Sequence, residues 1–167
     1  MIKPEVFQAF FEANLPENKE DGKRMDWDDY FLLLAASLAL RSTCKRRKYG
    51  SVIAKDWRLI SSGYNGAPKG DSHCIDGECW RDKNNIPHGQ QYEKCIAVHS
   101  EVNAITYASQ RAIEGANIYI VGYDCKEHKF IAGIPCSLCR PIIRNAGIKN
   151  FITRENGISG ELIIETP

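Results

Sequence analysis

The stretch Asn117-Ile118-Tyr119-Ile120-Val121-Gly122 (NIYIVG) is the pivot on which the fold turns. It is short, apolar and rich in β-branched and aromatic residues, so it reads as a strand. A helical pattern precedes it over His99–Ile113. Another follows over Cys136–Asn145 and is ended by Gly147. Lys149–Thr153 is a further strand, and Glu161–Glu165 reads as a last, edge strand. Strands and helices at crossover spacing predict a mostly parallel sheet covered by helices. Upstream, Asp26–Thr43 (DWDDYFLLLAASLALRST) is the clearest helix, with acidic residues crowding its start. Ser51–Lys55 and Leu59–Gly63 read as strands of a hairpin with a turn at Asp56–Arg58. The whole is of the α/β class. Residues 1–25 form a charged lead-in with a short helix over Pro4–Asn14, and residues 26–167 form one domain.

Composition narrows the function. The chain has 167 residues, 43% hydrophobic and 26% charged, enough to bury a core. Lys plus Arg is 22 and Asp plus Glu 21, so a bulk polyanion is a poor partner and no nucleic acid is expected. A small anionic ligand needs only local charge. No run reaches the roughly 18 apolar residues of a membrane span, and no secretory leader is evident. A cytoplasmic protein is expected. Seven cysteines in a reducing compartment are more often metal ligands or buried thiols than disulfides.

Two short motifs carry the chemistry. In Pro135-Cys136-Ser137-Leu138-Cys139, two cysteines three apart at a helix start can aim both sulfurs at one ion. Alone, the pair is equally a redox couple or a buried CxxC. His99 opens the preceding helix. Together, His99, Cys136 and Cys139 make three protein ligands, the arrangement of a catalytic zinc that keeps one position open for water. Glu101 leaves the helix about 200° around from His99. It is poorly placed to bind the same ion and well placed to move a proton from the bound water.

The long polar segment Asp71–Val98 needs something to order it. Cys44, Cys74, Cys79 and Cys95 could hold a closed structural zinc there, with His73 or His88 replacing one cysteine. Some of these could instead be plain buried thiols. Asn65 lies in the turn-like loop Tyr64–Gly70 (YNGAPKG). Lys45-Arg46-Arg47-Lys48 and Arg111 are candidates for an anion site.

The pair H-x-E and P-C-x-x-C is the signature of zinc nucleobase deaminases. With GYNGAPKG (63–70), HSEVNAI (99–105), PCSLC (135–139) and NAGIKN (145–150), the sequence resembles the cytidine deaminase superfamily and, within it, the deoxycytidylate (dCMP) deaminase family. The resemblance runs over most of residues 27–150. It implies a three-layer α/β/α cytidine deaminase-like fold with a mixed five-stranded sheet. It also implies conversion of dCMP to dUMP and ammonia, with a zinc-bound hydroxide attacking C4 and Glu101 shuttling protons. Another small amino-heterocycle (CMP, cytidine, deoxycytidine or a modified base) is the alternative substrate, and a non-catalytic zinc-stabilised binding module the alternative role. The resemblance further implies sugar contact by Asn65, with Tyr64, Gly66 and Lys69 as further sugar or phosphate contacts. A second, structural zinc and a homo-oligomer, often a hexamer, belong to the same expectation. The segment Gly122–Ile134 is longer than the family's usual connection, and Ser100 stands where the family usually has alanine.

Overall fold

The computed structural model describes residues 24–87 and 89–167. The expected helix over 4–14 and the candidate ligand His88 lie outside the described residues. In chain order the helices are α1 (Trp27–Ala39), α2 (Trp80–Lys83), α3 (Ser100–Thr106), α4 (Gln110–Ile113) and α5 (Cys139–Asn145). The strands are β1 (Arg47–Lys55), β2 (Arg58–Tyr64), β3 (Asn117–Asp124), β4 (Lys129–Ala132), β5 (Asn150–Arg154) and β6 (Leu162–Glu165). No helix among the described residues is long and apolar enough to cross a membrane.

The sheet runs in the order β2-β1-β3-β5-β6, with β4 also paired to β3. It is mixed, as expected, but has six strands rather than five. The extra strand is β4, which comes from the Gly122–Ile134 segment that reads as a connection. One edge of β3 pairs along its whole length with β1. Its other edge is shared, with Asn117–Tyr119 bonded to β5 and Val121–Asp124 bonded to β4. Among the described residues β3–β5 is the one parallel pair; the others are antiparallel. The expectation of a mostly parallel sheet therefore fails. Spacing between strands reports the length of a crossover, but not which edge each strand finds.

The alternating strand residues sort onto two faces. Val52, Ala54, Tyr119, Val121 and Ile152 pack on Phe31, Leu32, Ala35 and Ala36 of α1. Ile53, Ile118, Ile120 and Phe151 pack on Ala104, Ile113, Cys139 and Ile143 from α3, α4 and α5. This makes the three layers α/β/α. The β1–β2 turn is closed by Asp56 and Trp57, both at positive φ, as a tight two-residue hairpin turn demands. The helical pattern over His99–Ile113 is broken into α3 and α4, because Ser109 takes extended dihedrals and starts a new turn.

Two glycines set how closely the layers approach. A Cβ on Gly50 would meet Ala35 O of α1, and one on Gly63 would meet Ser100 O and, at 2.5 Å, Ala104 N. These are backbone atoms, so no side chain can swing aside. Gly63→Ala is expected to cost about 1–3 kcal/mol through overpacking between β2 and α3. Urea unfolding checks this against Gly77→Ala, where the added methyl meets nothing within 4 Å and the midpoint should hold.

Candidate active site

Three elements converge on the face that α3 and α5 cover. His99 caps α3 with extended backbone (φ −71°, ψ 152°). Cys136 sits in the turn that leads into α5, and Cys139 is the first residue of α5. That turn is closed by the Cys139 and Arg140 backbone N–H groups, both donating to Cys136 O at 3.1 and 3.0 Å. His99 Nδ1 lies 3.2 Å from Cys139 Sγ and 3.4 Å from Cys136 Sγ. Among the described residues, this trio is the one compact group of metal-ligating side chains, with ligand atoms within 4.8 Å of one another. A tetrahedral zinc with usual bond lengths places N and S ligands about 3.6 Å apart. The donor set and its spacing therefore fit zinc, and three ligands leave a fourth position open.

The electrostatics of the trio suit a cation. The Cys136 thiol is pulled down to about 3, first by the hydrogen bond from Cys139 and then, against its burial, by His99. Cys139 is driven up, first by holding the proton shared with Cys136 and then by burial. The two sulfurs thus share one proton that a divalent ion would displace. His99 is raised, chiefly by its hydrogen bond with Cys136 and against its own burial.

Glu101 is 6% exposed and borders the same cavity. Its Oε2 accepts from the Ser100 hydroxyl at 2.9 Å, and Ser100 Oγ accepts from the Ser51 hydroxyl on β1 at 2.7 Å. Both serines are fully buried. A chain of hydroxyls thus holds the carboxylate from the sheet. Sequence reading noted Ser100 as a departure but assigned it no task, because its partner Ser51 lies 49 residues away.

The cavity has a volume of about 840 Å³, within the range of ligand pockets. Asn65 lines it, 7% exposed. Its Oδ1 accepts from Tyr49 N–H at 2.7 Å and its Nδ2 donates to Arg47 O at 3.0 Å, so it also ties the loop to β1. Tyr64, Gly66 and Lys69 do not line the cavity. Gly66 instead exchanges backbone hydrogen bonds with Val98, next to His99. Cys44, Cys74, Cys79 and Cys95 all border the cavity as free thiols. Burial raises Cys44 and Cys74, and the neighbouring sulfurs add to the effect. These four are gathered on one wall, though not as tightly as the His99 trio. His73 contacts Thr43 Oγ1 at 3.5 Å. Arg111 is exposed on α4, away from the cavity.

Arg81 and Tyr92 escaped sequence reading, and Tyr49, which stands where the resembled family commonly has a small aliphatic residue, was given no task. Tyr49 is pushed up to about 12, chiefly by burial, and so stays a neutral hydroxyl. Tyr92 stands edge-on to His99, with ring centroids 5.1 Å apart. Arg81 lies over the Tyr92 ring at 4.6 Å. Neither Arg81 nor Tyr92 belongs to a motif; both come from the irregular segment between Cys79 and Cys95.

Comparison with known proteins agrees with this geometry. The family described as cytidine and deoxycytidylate deaminase zinc-binding region matches residues 25–155. The chain is 37% identical over 134 residues to a deoxycytidylate deaminase of Mycobacterium phage D29, covering 77% of this chain and 94% of the phage protein. It is 33% identical over 129 residues to a deoxycytidylate deaminase of Schizosaccharomyces pombe, covering 77% of this chain and 37% of that longer protein. Among solved structures, the apo dCMP deaminase of cyanophage S-TIM5 superposes with a TM-score of 0.55 at 22% identity, over 81% of this chain and 90% of that one. At that identity the likeness speaks for the fold.

The shared proton gives zinc binding a sign. Loading must release at least one proton, so affinity rises with pH by about tenfold per unit for each proton displaced. Competition with a chromogenic chelator between pH 6 and 8 checks this; a flat profile would refute it.

Proposed function

The chain belongs to the cytidine and deoxycytidylate deaminase zinc-binding family, and from that premise we propose that it hydrolyses dCMP to dUMP and ammonia. One observation carries the reading: a buried carboxylate, Glu101, borders the same cavity as the His99, Cys136 and Cys139 cluster. His99, Cys136 and Cys139 are the residues that would hold zinc. Bound there, zinc supplies a Lewis acid that brings a water's pKa towards neutrality.

The protein's own groups do the rest. Glu101 takes a proton from the water that adds at C4 and gives it to N3 of the cytosine. It then carries the proton of the new C4 hydroxyl to the amino group. The C4–N4 bond breaks, ammonia leaves, and C4 keeps the oxygen as the uracil carbonyl. Ser100, backed by Ser51, holds the carboxylate in one orientation, so little ordering is needed during the reaction. Asn65 lines the cavity beside Tyr49 and is the residue we assign to the sugar.

Cys44, Cys74, Cys79 and Cys95 form the second part of the reading, as ligands of a structural zinc. Their common wall and mutual electrostatic effect support it. Such a site would order the segment between β2 and α3, which has little regular structure of its own.

Ammonia release from dCMP, CMP, deoxycytidine and cytidine, read in parallel, should favour dCMP. Glu101→Gln should lower turnover by at least about a hundredfold while metal content holds. Ser100→Ala should lower it about fivefold, the equivalent of about 1 kcal/mol of lost hydrogen bond. Inductively coupled plasma analysis should find two zinc ions per chain, falling to one in Cys74→Ser. A Glu101→Gln protein with undiminished turnover would overturn the mechanism.

A further inference from the structure

A buried cation without a counter-charge borders the cavity. Arg81 is 6% exposed. One terminal nitrogen, Nη2, donates to Pro87 O and Gln90 O, both at 2.8 Å. Its Nε is buried and has no hydrogen-bond partner, and among the described residues no carboxylate pairs with it. Every acid that borders the cavity is engaged elsewhere. Asp82 meets Arg46 at 3.3 Å, Asp124 meets Arg47 at 2.9 Å, Glu127 meets Lys129 at 2.6 Å and Glu101 accepts from Ser100. Arg46 repeats part of the pattern: it is paired with Asp82, but its Nη1 is buried and unpartnered. A buried charge left uncompensated is costly. Arg81 carries that cost, and Arg46, held by the adjacent Asp82, brings a second guanidinium with one free buried nitrogen to the same cavity; together they mark a place shaped for an anion.

Their position says which anion. Arg81 is separated from His99 by one aromatic ring, Tyr92, which it overlies. A nucleotide whose base reacts beside His99 carries its phosphate one sugar away. We infer that Arg81, seconded by Arg46, binds the 5′-phosphate and makes the site select nucleotide over nucleoside; this rests on the deaminase reading above. A phosphate carries roughly −1.5 to −2 charge at neutral pH and three acceptor oxygens, and an arginine fork matches it. The other candidate cations are less suited. Arg47 is paired with Asp124 and has no buried nitrogen lacking a partner, and Lys69 and Arg111 do not border the cavity.

Zinc-loaded wild type, Arg81→Gln, Arg81→Lys, Arg46→Gln and, as a control, Arg111→Gln should be compared in two assays. The first is kcat/KM for dCMP and for deoxycytidine. The second is binding of dUMP and of deoxyuridine by titration calorimetry. Arg81→Gln should lower kcat/KM for dCMP and affinity for dUMP by about 10- to 100-fold. Deoxycytidine and deoxyuridine should change less than about twofold, and Arg81→Lys should recover part of the loss. Arg46→Gln should act in the same direction and more weakly, and Arg111→Gln should match wild type. An equal fall for nucleotide and nucleoside would make Arg81 a mere clasp on Pro87 and Gln90 and would overturn the inference, as would no fall at all. Wild type that prefers dUMP to deoxyuridine through Arg81 but releases no ammonia would sink the deaminase reading and leave the phosphate site standing.

Discussion

The helix α3 rests on backbone rather than on a side chain. Gly63 of β2 lets Ser100 O and Ala104 N come within a distance that any Cβ would forbid. Much else depends on that approach. It brings Ser100 within 2.7 Å of Ser51 on β1, and so fixes Glu101. It also sets the depth of His99, which must meet two sulfurs delivered by α5. The parallel pairing of β3 with β5 brings α5 back over the same face of the sheet. The chemistry thus depends on two helices packed at a set depth on one sheet. Close packing leaves little room to relax such a distance.

Charge within the cavity follows a clear division. The acids that could neutralise its arginines are spent on particular partners, two of them surface pairs of modest worth. What remains is the His99, Cys136 and Cys139 cluster and, one aromatic ring away, the buried Arg81 guanidinium. A substrate with an electrophilic, protonatable ring and a distal phosphate fits that polarity. The segment between β2 and α3 supplies Arg81 and Tyr92 as well as Cys74, Cys79 and Cys95. Whatever orders that segment therefore also positions the phosphate-facing wall.

Legibility differed sharply between features of the same site. HSEV and PCSLC were readable because metal ligands on helix starts must sit at short fixed spacings. The β1–β2 hairpin was readable because two short strand-like runs, Ser51–Lys55 and Leu59–Gly63, are separated by a gap too short for a crossover. By contrast, β4 looked like a connection, since KFIA is short and follows a charged stretch. Its strand character comes from the half of β3's edge that β5 leaves open. Arg81 was hidden for a related reason. Nothing adjacent to it in the chain distinguishes it from Arg46, Arg47 or Arg111. Burial singles out Arg81, and pairing with Asp124 disqualifies Arg47.

By itself, then, the sequence determined the class of fold, the metal-ligand trio and the carboxylate beside it, because those rest on periodicity and spacing within a few residues. Tertiary structure alone decided the strand order, the sixth strand, the serine chain behind Glu101 and the unpaired arginine bordering the cavity. Each of these depends on which distant residues share an edge, a face or a counter-charge, and chain spacing carries no record of that.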